Sequence, residues 1–276
     1  MRERAISAAV IAAVVIVAFL LGQPWLTIGL AILALLAAIE VFGLLPRAGF
    51  PVELLPGIAA PPLAVLALGW LEPVPGVAAV FVAAVIVVTA FDAFRRPDVR
   101  DGFLAWLGGT FGAIYTSLLA FVAAVLVVAS EVPEDALLGG LLDGGRTWLL
   151  VLVLTVWSFD TFAYLSGRTF KRGRFLNHIS PHKTWSGVVG GTIAAVVVGG
   201  ALSWAAGQWL PGGLVMGLLV AVAGQAGDVA ESMLKRAAGA KDSGSLIPGH
   251  GGALDRVDSF LFAGPVMVAY LIVIGS

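Results

Sequence analysis

The chain has 276 residues, of which 59% are hydrophobic and 12% are charged, with a net charge of -1 and a mean hydropathy of +1.01. Soluble domains carry about 25% charged residues, so the composition excludes an ordinary soluble protein and predicts an integral membrane protein. There is no cysteine, which excludes disulfides, thiolate nucleophiles and cysteine-based metal sites.

Nine apolar runs are long enough to be membrane-spanning helices, since a span takes about 20 residues. The runs lie at 5–22, 25–45, 52–71, 76–94, 104–130, 147–167, 186–207, 212–235 and 258–276. The third is the least regular, because Pro56, Pro61 and Pro62 would kink or break a helix. The first could be a signal peptide, but the eight runs that follow favour a retained span. The predicted fold is all-α, a polytopic membrane protein with about nine transmembrane helices.

The loop charges predict the orientation. With the N-terminus in the cytoplasm, every basic residue except Arg146 falls in an inside segment, and the longest outside loop, near Glu131 and Asp143, is acidic. This is the positive-inside pattern. It predicts a cytoplasmic N-terminus and an outside C-terminus, and we expect the bacterial inner membrane as the location.

The polar residues divide the chain into two parts. Residues 1–145 would form about five N-terminal helices, and residues 146–276 a catalytic region with cytoplasmic loops at 168–186 and 236–257. Glycines at 108–112 and 187–191 have the GxxxG spacing that lets helices approach closely. Packing within the chain and a homodimer face are both open as explanations.

Acidic residues inside apolar runs are costly and indicate function by default. They are Glu40, Asp92, Asp160, Asp228 and Glu231. For Glu40 and Asp92, a structural or helix-end hydrogen bond is an equally good explanation.

Two carboxylate pairs flank the loop at 236–257. Asp228 and Glu231 share a helical stripe with Ser232 and Lys235. The second pair, Asp255 and Asp258, lies at the start of the last apolar run. Oxygen ligands of this kind suit Mg²⁺, which usually shares its shell with substrate phosphates. The alternative is pairing with Lys235, Arg236 and Arg256. It does not explain the glycines at 249–252, which would bring backbone N–H groups close to an anion.

The segment 168–186 is basic, has interleaved aromatic residues, and ends in Ser180-Pro-His-Lys-Thr184. Upstream, Asp160 and Tyr164 lie one turn apart in the sixth run. A loop in the lipid headgroup region would explain the arginines, but not the compact donors before the seventh run. Nucleic-acid binding is a poor explanation, because the basic residues follow the membrane topology.

The longest motif is Ser232-x2-Lys-Arg-x4-Lys-Asp-x-Gly-x2-Ile-Pro-x-His-Gly-Gly-x2-Asp-Arg-x-Asp258. It resembles the signature of the phosphatidate cytidylyltransferases, or CDP-diacylglycerol synthases. Asp160-x2-Ala-Tyr164 and Ser180-Pro-His-Lys-Thr184 also match that family, whereas residues 1–145 match only in architecture. The family usually has Glu two residues after this threonine, where the chain has Ser186.

The resemblance implies transfer of a cytidylyl group from CTP to phosphatidic acid, with Mg²⁺ and a second cation such as K⁺. Catalytic roles are then expected for Asp228, Asp255, Lys183 and Asp160. The expected metal ligands are Asp228, Asp255, Asp258 and Glu231. The expected substrate-binding residues are Ser180, Lys183, Ser232, Lys235, Arg236, Lys241, His250 and Arg256.

Two other functions remain open. A CTP-dependent polyprenol kinase would also join CTP to a membrane lipid, but it would release CDP and a lipid phosphate. An ion-coupled transporter would use Asp160 and Asp228 as a relay, and inverted repeats, which would favour it, are not visible. The expected partners are CTP, phosphatidic acid and membrane lipids, with no nucleic acid and with a homodimer left open.

Overall fold

A computed structural model describes residues 13, 15–53, 57–70, 76–244 and 251–275. These residues form α-helices and their connections and contain no β-strand, which confirms the all-α prediction. The helices are α1 (Trp25–Leu44), α2 (Ala60–Trp70), α3 (Val77–Phe94), α4 (Val99–Ser117), α5 (Ala120–Val128), α6 (Gly144–Phe170), α7 (Trp185–Ala205), α8 (Leu210–Ala237) and α9 (Leu254–Gly275). A short 3-10 helix, Pro46–Ala48, follows α1.

Seven helical stretches within the described residues are long and apolar enough to cross a membrane, with α4 and α5 counted together as Val99–Val128. This agrees with the predicted polytopic membrane protein. The predicted third span is shorter than expected, because α2 has 11 residues. Pro61 and Pro62 lie in its first turn. Proline is tolerated there because the N–H groups of the first turn have no acceptor within the helix. The predicted first span falls mostly outside the described residues, within which 15–21 are helical.

The described chain packs as two compact units. Unit 1 comprises residues 1–127 and 233–257, and unit 2 comprises residues 128–232 and 258–276. The chain therefore passes from one unit to the other at the end of α5, within α8 and within α9. The sequence predicted a different division, at residue 145, between N-terminal helices and a catalytic region. That division stays a prediction.

Small side chains line the core of unit 1. Ala34, Ala37 and Ala38 of α1 are fully buried, and Phe42 packs with Val85 and Ala113, which come from α3 and α4. Small residues allow helices to approach closely, which supplies packing energy that the apolar lipid cannot provide.

Glycines bring α7 against α6 in unit 2. A Cβ atom added at Gly187 would lie 2.8 Å from the Ala163 carbonyl oxygen, and one at Gly191 would lie 2.7 Å from the Phe159 carbonyl oxygen. Both distances are shorter than real Cβ contacts, so a side chain would force the helices apart. The glycines at 187–191 therefore serve packing within the chain, which was one of the two explanations considered.

Candidate functional site

Three carboxylates converge in unit 2. Asp228 and Glu231 lie one turn apart on α8, and Asp258 lies on α9. Each side chain offers one oxygen atom, and the three oxygens lie within 4.8 Å of one another. Glu231 is buried, with 1% of its surface exposed. The structure thus brings together three of the four predicted metal ligands.

A glycine makes this convergence possible. A Cβ atom at Gly227 would overlap with the Asp258 carbonyl oxygen and would lie 3.3 Å from Ser259 Cα. The backbones of α8 and α9 therefore meet directly beside Asp228. At Gly224, one turn earlier, an added Cβ would meet Ser259 only at ordinary contact distances of 3.6 Å and more.

The two glycines form a matched pair for mutation. We expect Gly227→Ala to weaken Mn²⁺ binding by about tenfold, as displaced supporting groups do at metal sites, because α9 must move away from α8. Gly224→Ala should bind Mn²⁺ as the native chain does. Electron paramagnetic resonance of Mn²⁺ titrated into detergent-purified protein measures both. Equal losses in the two variants would contradict the special role of Gly227.

Lys183 reaches the carboxylates from the loop between α6 and α7. Its Nζ atom lies 2.6 Å from Asp228 Oδ2. The loop backbone fixes its position, because the Lys183 N–H donates to the Ser180 carbonyl (3.3 Å) and the Lys183 carbonyl accepts from the Phe175 N–H (2.9 Å). Asp160 of α6 interacts electrostatically with both Asp228 and Lys183. The structure thus brings Lys183 and Asp228 together, and Ser180 precedes Lys183 in the same turn.

The same loop ends in a capped helix. Thr184 is the N-cap of α7, and its Oγ1 accepts from the Gly187 N–H at 3.1 Å. Ser186 exchanges two hydrogen bonds with Arg172: its Oγ accepts from the Arg172 N–H (3.3 Å), and its own N–H donates to the Arg172 carbonyl (3.2 Å). Ser186 therefore closes the loop at the position where the family that the motifs resemble usually has Glu.

We expect Ser186→Glu to fold and to keep the loop closed. A carboxylate in the first turn of a helix is worth about 0.3–1 kcal/mol through the helix dipole, which offsets the loss of the bond from Arg172. Thermal unfolding in detergent should show a melting temperature at or slightly above that of the native chain. A clear drop would mean that the serine hydroxyl itself is needed.

The charges of the site suit a divalent cation. Three carboxylate groups converge at this point, and Lys183 forms an ion pair with one of them, Asp228. A bound cation reduces the repulsion between neighbouring carboxylates. Oxygen donors on two helices are the ligands that Mg²⁺ and Ca²⁺ take, so the residues fit a hard divalent metal ion.

Asp255 has a different environment, in unit 1. Its Oδ1 accepts from Lys235 Nζ at 2.6 Å. Its Oδ2 accepts from the Gly252 N–H (2.8 Å), the Ser243 N–H (3.1 Å) and the Ser243 hydroxyl (2.8 Å). Within the described residues, the carboxylate group suited to a metal ion consists of Asp228, Glu231 and Asp258. Metal ligation by Asp255 stays a prediction, and its observed contacts hold Lys235 in place.

The remaining predicted residues have varied environments. Ser232 is buried, Arg236 donates to the Ala240 carbonyl at 2.9 Å, and both Lys241 and Arg256 are exposed. His250 lies outside the described residues.

The structure gives different environments to Asp92 and Glu40, the two acidic residues whose role the sequence left open. Asp92 pairs at 3.2 Å with Arg96, one turn along the chain, which is the structural explanation. Glu40 instead contacts Ser243, Ala253 and Leu254, within the long motif. The sequence signal for Glu40 was its position in an apolar run, but nothing in that run indicated its partners.

The chain is similar to known proteins of one family. The model of the cytidylyltransferase family matches residues 2–274. The phosphatidate cytidylyltransferase of Brucella abortus is 45% identical over 129 residues, which cover 46% of this chain and 47% of that protein. The chloroplastic phosphatidate cytidylyltransferase 4 of Arabidopsis thaliana is 45% identical over 141 residues, covering 48% and 35%. The phosphatidate cytidylyltransferase of Haemophilus influenzae is 37% identical over 158 residues, covering 55% and 53%. The chain spans about half the length of the bacterial relatives it matches and about a third of the plant relative.

Proposed function

The chain belongs to the cytidylyltransferase family, and we propose that it transfers a cytidylyl group from CTP to phosphatidic acid, giving CDP-diacylglycerol and pyrophosphate. The observation that carries the proposal is the convergence of Asp228, Glu231 and Asp258 beside Lys183 in an integral membrane protein. Relatives named phosphatidate cytidylyltransferases support the choice of substrates.

The proposed reaction joins two anions. An oxygen of the phosphatidate phosphate attacks the α-phosphorus of CTP, and the bond from that phosphorus to the oxygen bridging to the β-phosphorus breaks, so that pyrophosphate leaves with the electron pair. A phosphate is already ionised near pH 7, so the site needs no strong base. It must instead reduce the repulsion between the two substrates.

Asp228, Glu231 and Asp258 would hold a divalent cation, for which we propose Mg²⁺ because of the oxygen ligands. Bound there, the cation would supply positive charge to the phosphoryl oxygens and to the leaving group. A second cation such as K⁺ follows from the family resemblance.

Lys183 would bind a substrate phosphate. A phosphate oxygen arriving at Lys183 Nζ can share or replace the contact with Asp228, which frees that carboxylate for the cation. Asp160 would keep the ammonium group in place, and Ser180 would hold the turn that presents Lys183. The residues proposed to bind the triphosphate and the leaving pyrophosphate are Ser232, Lys235, Arg236, Lys241, His250 and Arg256.

The surroundings of the reaction are also proposed. Phosphatidic acid would enter from the membrane and CTP from the cytoplasm, with the N-terminus inside and the C-terminus outside the bacterial inner membrane. A homodimer, which the sequence left open, stays a prediction.

Product analysis tests the function. Detergent-purified protein is given CTP labelled at the α-phosphorus, phosphatidic acid and Mg²⁺, and we expect labelled CDP-diacylglycerol and unlabelled pyrophosphate, with no product in excess EDTA. Labelled CDP with a polyprenol acceptor would instead identify a lipid kinase. Absence of any nucleotide product with either acceptor would contradict both enzymatic functions.

A further inference from the structure

Glu40 accepts hydrogen bonds from two segments that lie more than 200 positions after it in the chain. Its Oε1 accepts from the Ala253 N–H at 2.9 Å, and its Oε2 accepts from the Leu254 N–H at 2.9 Å. The Ser243 hydroxyl also lies 2.8 Å from Oε2. One carboxylate of α1 therefore binds residues on both sides of positions 245–250.

The contact places a carboxylate at the start of α9. The first N–H groups of a helix have no acceptor within the helix, and the helix dipole makes that end positive. Ala253 and Leu254 are 1% and 0% exposed, so water does not replace Glu40 as the acceptor. Glu40 acts as a cap supplied by another helix.

The network continues from Glu40 to Asp255. The Ser243 Oγ atom lies 2.8 Å from Glu40 Oε2 and 2.8 Å from Asp255 Oδ2, and its single hydrogen can donate to either carboxylate. Asp255 in turn binds Lys235 Nζ at 2.6 Å. Glu40 is thus connected through Ser243 and through the first turn of α9 to the lysine proposed to bind the triphosphate.

Two glycines of the long motif make room for Glu40. A Cβ atom at Gly252 would overlap with Glu40 Oε2 and with Ser243 Oγ, and one at Gly244 would come too close to Glu40 Oε1. The absence of side chains at these positions is therefore explained by the approach of a carboxylate from α1.

We propose that Glu40 is a positioning residue for the reaction, holding Ser243 and the start of α9 so that Asp255 fixes Lys235 for binding of CTP. This inference rests on the proposed function. The residue lies in the part of the chain whose sequence resembled the family only in architecture.

Glu40→Gln is the sharpest test, because glutamine keeps the shape but offers only one acceptor oxygen. At least one donor among Ser243, Ala253 and Leu254 then loses its acceptor. We expect the KM for CTP to rise about tenfold, as for other residues that orient a binding group, while the KM for phosphatidic acid changes less than twofold. Asp92→Asn, another intramembrane acid, is the matched control and should leave both values unchanged.

A merely structural role would give a different result. Loss of folded protein lowers kcat and leaves both KM values as they are, and that outcome with Glu40→Gln would overturn the inference. Ser243→Ala removes one hydroxyl from the same network, so the double variant should be no worse than the more impaired single variant, whereas additive effects would contradict the network. If Glu40→Gln does not fold, Ser243→Ala alone must raise the KM for CTP.

Equilibrium binding of CTP separates this inference from the proposed function. If the native chain makes no CDP-diacylglycerol, the proposed function fails, and weaker CTP binding by Glu40→Gln than by the native chain still supports the role of Glu40. If the native chain is active and Glu40→Gln binds CTP equally well, only the inference fails.

Discussion

Asp228→Asn is expected to lower kcat by at least about a thousandfold, because this change removes a charge from the carboxylate cluster and the ion pair of Lys183. Electrostatic stabilisation of the transition state accounts for most of the rate enhancement in many enzymes, and loss of one stabilising group costs about 10²–10³ in kcat. Here one substitution affects two groups. Asparagine has nearly the same shape, so packing around α8 should be unchanged.

Neutral variants of the three carboxylates test which of them bind a metal ion. Asp228→Asn, Glu231→Gln and Asp258→Asn should each weaken Mn²⁺ binding in electron paramagnetic resonance titrations, and Asp92→Asn should not. Unchanged Mn²⁺ binding in an inactive Asp228→Asn would refute the metal role of this residue.

Asp255→Asn decides between the two roles considered for that residue. Weaker Mn²⁺ binding would establish it as a ligand, as the sequence predicted. A raised KM for CTP with native Mn²⁺ affinity would establish that it holds Lys235.

Lys183→Met is expected to have opposite effects on activity and on metal affinity. Loss of the ammonium group that binds a substrate phosphate should lower kcat/KM for phosphatidic acid by about a hundredfold, in the range of one charge-assisted contact, about 1.5–3 kcal/mol. Without substrate, however, Mn²⁺ should bind more tightly. Lys183 Nζ lies 2.6 Å from Asp228 Oδ2, so the lysine competes with a cation for the same oxygen and repels it.

Lys183→Arg is the charge-preserving control for the metal measurement. It should bind Mn²⁺ with near-native affinity, since a positive charge remains beside Asp228. If Lys183→Met weakened Mn²⁺ binding instead, the lysine would be supporting the metal site, and the competition between the lysine and the cation would be wrong.

Local spacing predicted most of the helices and part of the site. Runs of apolar residues predicted the spans, because a bilayer imposes a minimum length on a helix that crosses it. The exception is α2, which has only 11 residues and begins at two prolines, Pro61 and Pro62. The separation of Asp228 and Glu231 by three positions placed them on one face of α8. The same rule placed Asp255 and Asp258 together at the start of α9. It could not show that Asp258 lies beside Asp228 and Glu231 while Asp255 binds Lys235.

Contacts between distant parts of the chain were not predictable from pattern. Gly227 reads as an ordinary glycine in an apolar helix, and its importance depends on the backbone of Asp258 lying against it. Glu40 was recognised as a costly residue, but its acceptor role depends on groups that are 203 to 214 positions away. Periodicity describes one helix at a time, so it contains no information on which helices meet.

The contact of Glu40 with the start of α9 also bears on how the protein is made. The ribosome adds about 5–20 residues per second, so the 213 positions between Glu40 and Ala253 correspond to roughly 10–40 s of synthesis. During that interval α1 is already available for membrane insertion, while the N–H groups that will bind its carboxylate do not yet exist. Glu40 lies about one turn from the end of α1. Final assembly of unit 1 therefore waits until synthesis has passed Ala253 and Leu254.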